Sequence, residues 1–327
     1  MNSSPLKAAI VHPLNIVVLS GGMSAERKVS IASGEVACQS LRQLGHHVTN
    51  LDPSEASFSQ FDWSSTDVCF IALHGLFGED GQVQQLLEQL GIPYTGSSSQ
   101  TSRITINKIA TKKRLAKAGI PTPEYISIAN DSDLTSLDTL FIPFNFPIIV
   151  KPSEQGSSIG VTVVFRKNEL QTAIEQASRW SSDILIEPYI SGKELTVTVL
   201  DRRALPVIEI LSPKTIFDYE AKYQDTLTDY SFDIELPTSL LTRIQHLAVE
   251  ACSELRTTGL CRVDLLVDKD ENPWFLEINT IPGMTSHSLA PMASAHVGIQ
   301  QNQLFEQLIQ QAMDQARHTP SGALTLS

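Results

Sequence analysis

The pattern that most restricts the fold of this chain lies near its C-terminal end, where two apolar runs flank a turn-rich stretch. The runs cover residues 260–267 and 274–278, and residues 268–273 lie between them. Short apolar runs separated by turn-forming residues are typical of a β-hairpin. The sequence therefore predicts two antiparallel strands joined by a tight turn.

The polar side chains of this hairpin fall on one face. If the hairpin is symmetric about its turn, Asp264 lies opposite Glu277 and Arg262 lies opposite Asn279. Side chains alternate along a strand, so all four would then share a face. Mg²⁺ usually binds one or two carboxylates plus phosphate oxygens, so this face suits magnesium and phosphate. A solvated hairpin face is the alternative, and the turn at 279–283, which bends backbone amides toward the same place, favours the site.

Size and composition describe an ordinary globular protein. A chain of 327 residues predicts two or three domains, and 42% hydrophobic with 18% charged residues is typical of soluble proteins. The net charge of −12 argues against a nucleic-acid partner. We find no secretory or membrane signal and expect a cytoplasmic protein. Its scattered cysteines are expected to be buried free thiols: Cys38, Cys69, Cys252 and Cys261.

The first hundred residues alternate strands and helices, which predicts a parallel α/β sheet. Ligands collect at the carboxyl ends of such strands, where Ser20 and His74 lie. We expect His74 to belong to a site. Glu26 falls in the first turn of a helix predicted over about 25–44, where it could receive an ammonium group. Simple stabilisation of the helix N-terminus is the alternative.

The middle of the chain contains a candidate phosphate loop. Lys151 ends an apolar strand and precedes the small-residue loop 152–160, whose amides and Ser157 and Ser158 hydroxyls could hold phosphates. A flexible hairpin with one surface lysine is an equal alternative. Lys108 is a second phosphate candidate, although within its basic helix it more readily indicates a solvated face.

Acidic residues mark the passage into the last part of the chain. Glu187 and Glu194 could accept hydrogen bonds from adenine and ribose, or be exposed acids at a turn. The long polar stretch 212–232 predicts a functional lid. The domains are predicted as 1–103, an N-terminal α/β domain on the substrate side; 104–190, a small central domain; and 191–327, a C-terminal domain with the lid and hairpin.

Taken in order, eight segments resemble the D-alanine–D-alanine ligases of the ATP-grasp superfamily. They are GGMSAERKVS (21–30), IALHGLFGEDG (71–81), PYTGSS (93–98), KPSEQGSSIG (151–160), LIEPYISGKELTV (185–197), YEAKY (219–223), GLCRVD (259–264) and LEINTIPGMTSHSL (276–289). They extend over nearly the whole chain and are specific as a set. The resemblance implies an α/β fold, α+β in the C-terminal half, with a three-domain ATP-grasp architecture. Its N-terminal domain would be a pre-ATP-grasp domain built on a parallel sheet.

The resemblance also implies a reaction. ATP would phosphorylate the carboxylate of one D-alanine, and the amine of a second D-alanine would attack the acyl phosphate. The dipeptide would serve the peptidoglycan precursor, with ADP and phosphate released. Two Mg²⁺ or Mn²⁺ ions would take part, and the chain would form a homodimer with no membrane or nucleic-acid partner.

Site residues follow from the same resemblance. Glu26, Ser157 and Tyr223 would form a hydrogen-bonded triad, and Arg262 with the Gly283 amide would stabilise the oxyanion. The substrate-binding residues would be His74, Gly283, Ser288 and Leu289. The ATP-binding residues would be Lys108, Lys151, Ser158, Glu187, Tyr189, Glu194 and Lys222. The metal ligands would be Asp264, Glu277 and Asn279.

Three details depart from the family pattern. The phosphate loop reads Ser-Glu-Gln-Gly at 153–156, where Ser-Arg-Glu-Gly is more usual, so an arginine and a glutamate contact are in doubt. Tyr189 replaces a frequent tryptophan, and Asn107 stands where an aspartate is common. Alternatives within the fold are a D-alanine–D-lactate or D-alanine–D-serine ligase and a non-catalytic ATP-grasp protein. An NAD-dependent dehydrogenase is disfavoured because the G-x-G-x-x-G pattern is absent.

Overall fold

The computed structural model describes residues 12–129, 141–212 and 228–318, and within these ranges the chain forms three sheets flanked by helices. The predicted lid covers residues 212–232, of which 213–227 lie outside the described residues. Within the remainder, Asp229–Ser231 form a short strand, so the prediction of a loop is wrong for these three residues. Among the described residues, no helix combines the length and apolar character needed to cross a membrane.

The N-terminal sheet is parallel, as predicted, with strand order β2-β1-β3. Its elements are β1 (Asn15–Leu19), α1 (Arg27–Gln43), β2 (His47–Leu51), α2 (Ala56–Ser59), β3 (Val68–Ile71) and α3 (Gln82–Leu90). Helix α3 ends at Gly91, whose left-handed conformation (φ 69°) is one that glycine adopts without strain. The sheet brings the loops after β1 and β3 to one edge.

The central sheet has the order β4-β7-β5-β6, and its pairs are antiparallel. Its elements are α4 (Ser99–Ile106), α5 (Lys108–Lys117), β4 (Ile126–Ala129), β5 (Ile148–Pro152), β6 (Thr162–Val164), α6 (Leu170–Ala177) and β7 (Asp183–Pro188). Sequence periodicity missed α4 and β4, which are eight and four residues long. Asn107 separates α4 from α5, and its side chain caps α5 by accepting from Ala110 N at 2.8 Å.

The third sheet is antiparallel, in the order β10-β9-β8-β11-β12. Its elements are β8 (Gly192–Leu200), β9 (Arg203–Leu211), β10 (Asp229–Ser231), α7 (Thr238–Leu255), β11 (Leu260–Asp268), β12 (Pro273–Asn279), α8 (Leu289–His296) and α9 (Gln301–His318). The change from a parallel to antiparallel sheets confirms the predicted α/β class with α+β character in the C-terminal half.

The N-terminal and third sheets share a hydrophobic core. Ile16 and Phe70 pack in one cluster with Ile208, Leu304 and Phe305, and the rings of Phe70 and Phe305 are 5.1 Å apart. Burying such side chains is the main stabilising contribution to a fold of this size. Helix α9, which contains Leu304 and Phe305, therefore packs against the N-terminal sheet. The predicted domain boundaries stay predictions, and α4 spans the one at 103/104.

Candidate active site

The C-terminal hairpin has the register that the sequence predicts. Asp264 pairs with Glu277 and Arg262 pairs with Asn279, and the ladder is interrupted only after Asp264. Arg262 and Asp264 are 9% and 5% exposed, so the alternative of a solvated face is wrong for these two residues. A charged face that is buried needs partners close by.

Asp264 has such partners on two strands. Arg262 donates to it from Nε to Oδ1 at 2.9 Å and from Nη2 to Oδ2 at 2.8 Å. Thr196 on β8 donates to Oδ1 at 2.7 Å. A two-point arginine–carboxylate contact fixes orientation as well as charge, so this carboxylate is held in a defined position.

Lys108 lies at the N-terminal end of α5 and points at the same hairpin. Its Nζ lies 3.1 Å from Glu277 Oε2 and donates to the Gln155 carbonyl at 2.6 Å. The side chain is only 8% exposed, so the interpretation of a solvated helix face is wrong for Lys108. Tertiary packing thus brings α5, the phosphate loop and the hairpin together at one ammonium group.

Glu26 and Ser157, two members of the predicted triad, are in contact. The Ser157 hydroxyl donates to Glu26 Oε1 across 131 residues of chain. The other oxygen, Oε2, is buried and has no hydrogen-bond partner among the described residues. A buried carboxylate oxygen in this state is suited to receive an ammonium group from a ligand. The third member, Tyr223, lies outside the described residues, as does Lys222.

Two close backbone approaches shape the space around Glu26. A Cβ atom on Gly75 would lie 2.9 Å from Glu26 Oε2, and one on Gly156 would lie 3.1 Å from it. Ser157 and its neighbour Ser158 have φ of 50° and 56°, a region disfavoured for residues other than glycine. Such backbone conformations concentrate at ligand sites, where the surrounding contacts hold them.

The loop that presents Glu26 is tied to β2. Arg27 Nη2 lies 2.7 Å from Asp52 Oδ2, and Gly22 N donates to Asp52 Oδ1 at 2.9 Å. Burial raises the pKa of Asp52, but hydrogen bonds from Arg27, Gly22 and Ser54 outweigh it and lower the pKa to about 2. The carboxylate therefore stays charged and holds the Gly-Gly turn in place.

His74 connects the N-terminal sheet with the C-terminal loop. Its Nε2 lies 3.2 Å from Ser33 Oγ, which also accepts from Met284 N at 3.2 Å. Its Nδ1 lies 3.5 Å from Glu79 Oε1. Burial raises the pKa of Glu79, and nearby Glu26 adds to the shift while His74 opposes it. His74 is thus a buried residue beside Glu26, at the place where the sequence predicts a substrate contact.

A cleft of about 400 Å³ lies between the central and third sheets. Most of the predicted nucleotide residues line it: Lys108, Lys151, Ser158, Glu187, Tyr189 and Glu194. Its apolar lining includes Ile149, Ile210 and Leu266, and Asp264 and Glu277 stand at one side. An apolar cleft with a few convergent charged groups is typical of a site for a cofactor-sized molecule.

A buried triad of charges, which the sequence does not indicate, supports this cleft. Lys112 Nζ lies 2.6 Å from Glu187 Oε1, and Lys151 Nζ lies 2.6 Å from Glu187 Oε2. Burial alone would raise the pKa of Glu187, but the two ammonium groups hold it below its ordinary value. The adenine-binding role of Glu187 stays a prediction, and the structure places this residue first as the counter-ion of two lysines.

The predicted second-substrate residues lie in the loop before α8 and at the first residue of that helix. Ser288 is the residue preceding the helix, and its Oγ accepts from Thr285 N at 3.2 Å. A Cβ on Gly283 would lie 2.8 Å from this hydroxyl. Leu289 is 6% exposed and packs in the core shared with α9. The substrate roles of these three residues stay predictions.

Comparison with known proteins decides the family. The description "D-ala D-ala ligase C-terminus" matches residues 114–310, and "D-ala D-ala ligase N-terminus" matches residues 49–97. The chain belongs to the D-alanine–D-alanine ligase family. The D-alanine–D-alanine ligase of Polaromonas sp. (strain JS666 / ATCC BAA-500) is 44% identical to it over 291 residues, which are 87% of this chain and 86% of that one. The enzyme of Desulforamulus reducens is 40% identical over 311 residues, 92% and 99% of the two chains.

Solved structures of D-alanine–D-alanine ligases agree. The crystal structure of the Bacillus anthracis enzyme has a TM-score of 0.81 and 37% identity, and the alignment covers 93% of this chain and 99% of that one. The same enzyme complexed with ATP has a TM-score of 0.78 at 33% identity, with the same coverage. The resemblance and the ATP-grasp fold predicted from the eight segments are thus confirmed.

The proposed metal ligands can be tested by their chemistry. Asp264 and Glu277 line the large cleft, and Glu277 and Asn279 line the small cavity next to Glu26. No group of three or more His, Cys, Asp or Glu residues in the described part of the chain could hold a metal by itself. Two carboxylates and an amide oxygen beside the large cleft fit Mg²⁺, because this ion takes its other ligands from phosphate and water.

Proposed function

We propose that this chain is an ATP-dependent D-alanine–D-alanine ligase that works through a D-alanyl phosphate. The observation that supports this most directly is the meeting of two cavities. Lys108, Gln155 and Glu277 line both the large cleft and the small cavity that contains Glu26 and Arg262. A nucleotide in one cavity and an amino acid in the other would bring a terminal phosphate and a carboxylate together there.

The large cleft would take ATP. Its apolar lining suits adenine, which Tyr189 would border, and Glu194 would hold the ribose. Lys108, Lys151, Ser158 and Lys222 would bind the phosphates. Phosphoryl transfer depends on positioning and charge neutralisation more than on covalent help, and buried ammonium groups next to the loop provide both.

The small cavity would take the first D-alanine. Its ammonium group would bind Glu26 Oε2, whose hydrogen-bonding capacity is unused among the described residues, with His74 close by. Ser157 holds the other Glu26 oxygen, so the acceptor is already oriented. Tyr223 would complete the triad and help to close the site against water, which an acyl phosphate requires.

The second D-alanine would bring the nucleophile. Its carboxylate would bind Ser288, and Arg262 with the Gly283 amide would stabilise the tetrahedral oxyanion formed when its amine attacks. Preorganised donors at an oxyanion are among the largest contributions to such catalysis. The contact of Arg262 with Asp264 would keep the guanidinium in place.

Two Mg²⁺ or Mn²⁺ ions would bind to Asp264, Glu277 and Asn279. Bound there, they would neutralise phosphate charge and polarise the transferred group. Lys108 and Arg262, which contact the two carboxylates now, would balance the same charges. A homodimer in the cytoplasm completes the proposal, supported by the family and by four buried free cysteines, which suit a reducing compartment.

The test is release of phosphate from ATP in the presence of Mg²⁺ and D-alanine, with the dipeptide measured by mass spectrometry. We expect release that depends on both D-alanine and the metal, and none with L-alanine. Phosphate release that ignores D-alanine, or none at all from folded protein, would contradict the proposal. D-lactate and D-serine offered with D-alanine separate the alternative ligases, and preference for either near neutral pH would replace D-alanine as the second substrate.

A further inference from the structure

The N-terminal end of α5 is joined to the phosphate loop, residues 152–160, by a compact group of hydrogen bonds. Lys108 N donates to the Ser153 carbonyl at 3.0 Å, and Lys108 Nζ donates to the Gln155 carbonyl at 2.6 Å. Next to them, Asn107 Nδ2 donates to Glu154 Oε1 at 2.6 Å, and Ser153 Oγ donates to Asn107 Oδ1 at 3.3 Å. Every residue from 153 to 155 is thus held by residue 107 or 108.

Within this group, Asn107 uses both ends of its amide. Its oxygen accepts from Ala110 N at 2.8 Å and so caps α5, while its nitrogen binds the Glu154 carboxylate. An aspartate would cap a helix about as well as an asparagine. It could not donate to Glu154, and its second oxygen would place a like charge against that carboxylate. An amide at position 107 is therefore matched to a carboxylate at position 154.

The same two positions are among those at which this chain departs from the pattern that the resemblance implies. An aspartate at 107 facing an arginine at 154 would link the helix to the loop by an ion pair. Here an amide and a carboxylate make the link instead. The two departures lie 47 residues apart in sequence and are in direct contact. A change at one of the two positions therefore removes this contact unless the other position changes with it.

The link acts on the site from outside it. Asn107 and Glu154 are half-buried, and neither lines the large cleft or the small cavity. Their neighbours Lys108 and Gln155 line both, and further along the loop Ser157 binds Glu26. The loop is thus fixed at one end to α5 and at the other end to the N-terminal domain.

We propose that Asn107 and Glu154 are a pair of positioning residues that hold the phosphate loop over the nucleotide, and that each is specific for the other. This rests on the proposed function and deepens it. A loop held in its bound conformation costs less to order when ATP arrives, so the link contributes to ATP affinity although it does not touch ATP.

A double-mutant cycle tests the proposal with Asn107→Asp, Glu154→Arg and the two combined. Asn107→Asp keeps the cap of α5 but sets two carboxylates together, and we expect ATP affinity to fall about tenfold, the value of one hydrogen bond to a charged group. Glu154→Arg alone should also weaken binding. The double variant forms an ion pair across the same gap and should return to within about threefold of the unchanged protein.

ATP affinity is measured by calorimetry with Mg²⁺ and without D-alanine, so the cycle does not depend on ligase turnover. A matched control is Gln171→Glu, which sets two carboxylates together at the exposed Gln171–Glu175 pair of α6 and should leave ATP affinity unchanged. Thermal unfolding accompanies each variant. Unaltered ATP affinity in Asn107→Asp would overturn the proposal. A double variant that binds ATP no more tightly than the weaker-binding of the two single variants would overturn it as well. Absence of D-alanine-dependent turnover in the unchanged protein would instead refute the ligase function.

Discussion

Replacing Lys112 by methionine removes a charge that the structure places wholly inside the protein. Lys112 is 0% exposed, and its Nζ contacts Glu187 Oε1 at 2.6 Å, Thr122 Oγ1 at 2.6 Å and the Pro123 carbonyl at 2.9 Å. The ammonium group donates hydrogen bonds to Thr122 Oγ1 and the Pro123 carbonyl and forms an ion pair with Glu187. Methionine fills a similar volume and satisfies none of these acceptors.

The expected loss in the free energy of unfolding is about 2–4 kcal/mol at pH 7. A buried acceptor left without its donor costs about 1–3 kcal/mol, and here two neutral acceptors are left. A buried carboxylate left without any counter-ion costs about 3–5 kcal/mol, but Lys151 still contacts Glu187, so this larger cost is not reached.

The loss should grow with pH. Burial lowers the pKa of Lys112 to about 8 from an ordinary value of 10.5, although Glu187 opposes the shift. Between these two values the unfolded chain binds the proton that the folded protein has released, so rising pH stabilises the folded protein. The cost of burying the charged form of Lys112 is therefore present in full below pH 8, and it is relieved as the pH rises above 8 and the lysine loses its proton. From pH 7 to 9.5 the unchanged protein should gain about 2 kcal/mol over the variant.

Urea denaturation at a series of pH values measures both effects. Lys113→Met is the matched control, because Lys113 is the next residue of the same helix and is exposed. It should change stability by less than about 0.5 kcal/mol at every pH. If Lys112→Met behaves like this control, or if its deficit shrinks as the pH rises, the reasoning about the buried triad is wrong.

Three further predictions concern the site. Gly75→Ala should lower kcat/KM for D-alanine about 10- to 100-fold, because the added Cβ would lie 2.9 Å from Glu26 Oε2. Gly91→Ala is the control, since Gly91 has a similar φ but no atom within 4 Å of an added Cβ. Equal losses of kcat/KM in both variants would show that backbone strain alone is responsible. Asp52→Asn should lower the free energy of unfolding by about 1 kcal/mol, after allowance for the screening of partly exposed charges by solvent. Burial raises the pKa of Asp52, but its hydrogen bonds lower the pKa to about 2. The loss of stability should therefore be present above pH 4 and disappear as the pH falls toward 2. A loss that persists at pH 2 would contradict this role of the Asp52 carboxylate. Arg262→Ala should lower turnover about 10²–10³-fold while calorimetry still detects ATP binding, and near-normal turnover would remove Arg262 from the oxyanion role.

The hairpin shows how far sequence alone can lead. A two-residue side-chain period and a recognisable turn determine which residues oppose each other, so local pattern is enough to predict the pairing of Asp264 with Glu277. The parallel N-terminal sheet follows from alternating strands and helices in the same way. The short elements α4 and β4 escape prediction because so few residues do not let a periodic pattern stand out.

The lysines of α5 show what the local sequence cannot predict. Lys108, Lys112 and Lys113 belong to one basic helix, and no local pattern separates the exposed member from the two that are buried. Their environment depends on which loop and strand pack against the helix.

Local patterns of this chain therefore predicted its parallel N-terminal sheet and its hairpin register, and eight segments taken together indicated its family. Only tertiary structure decided that Lys112 is a buried counter-ion of Glu187 and that Asn107 contacts Glu154. The physical reason is that hydrogen bonding and desolvation act between whatever groups the fold brings within reach of one another, and residues far apart along the chain carry no local sign of that proximity.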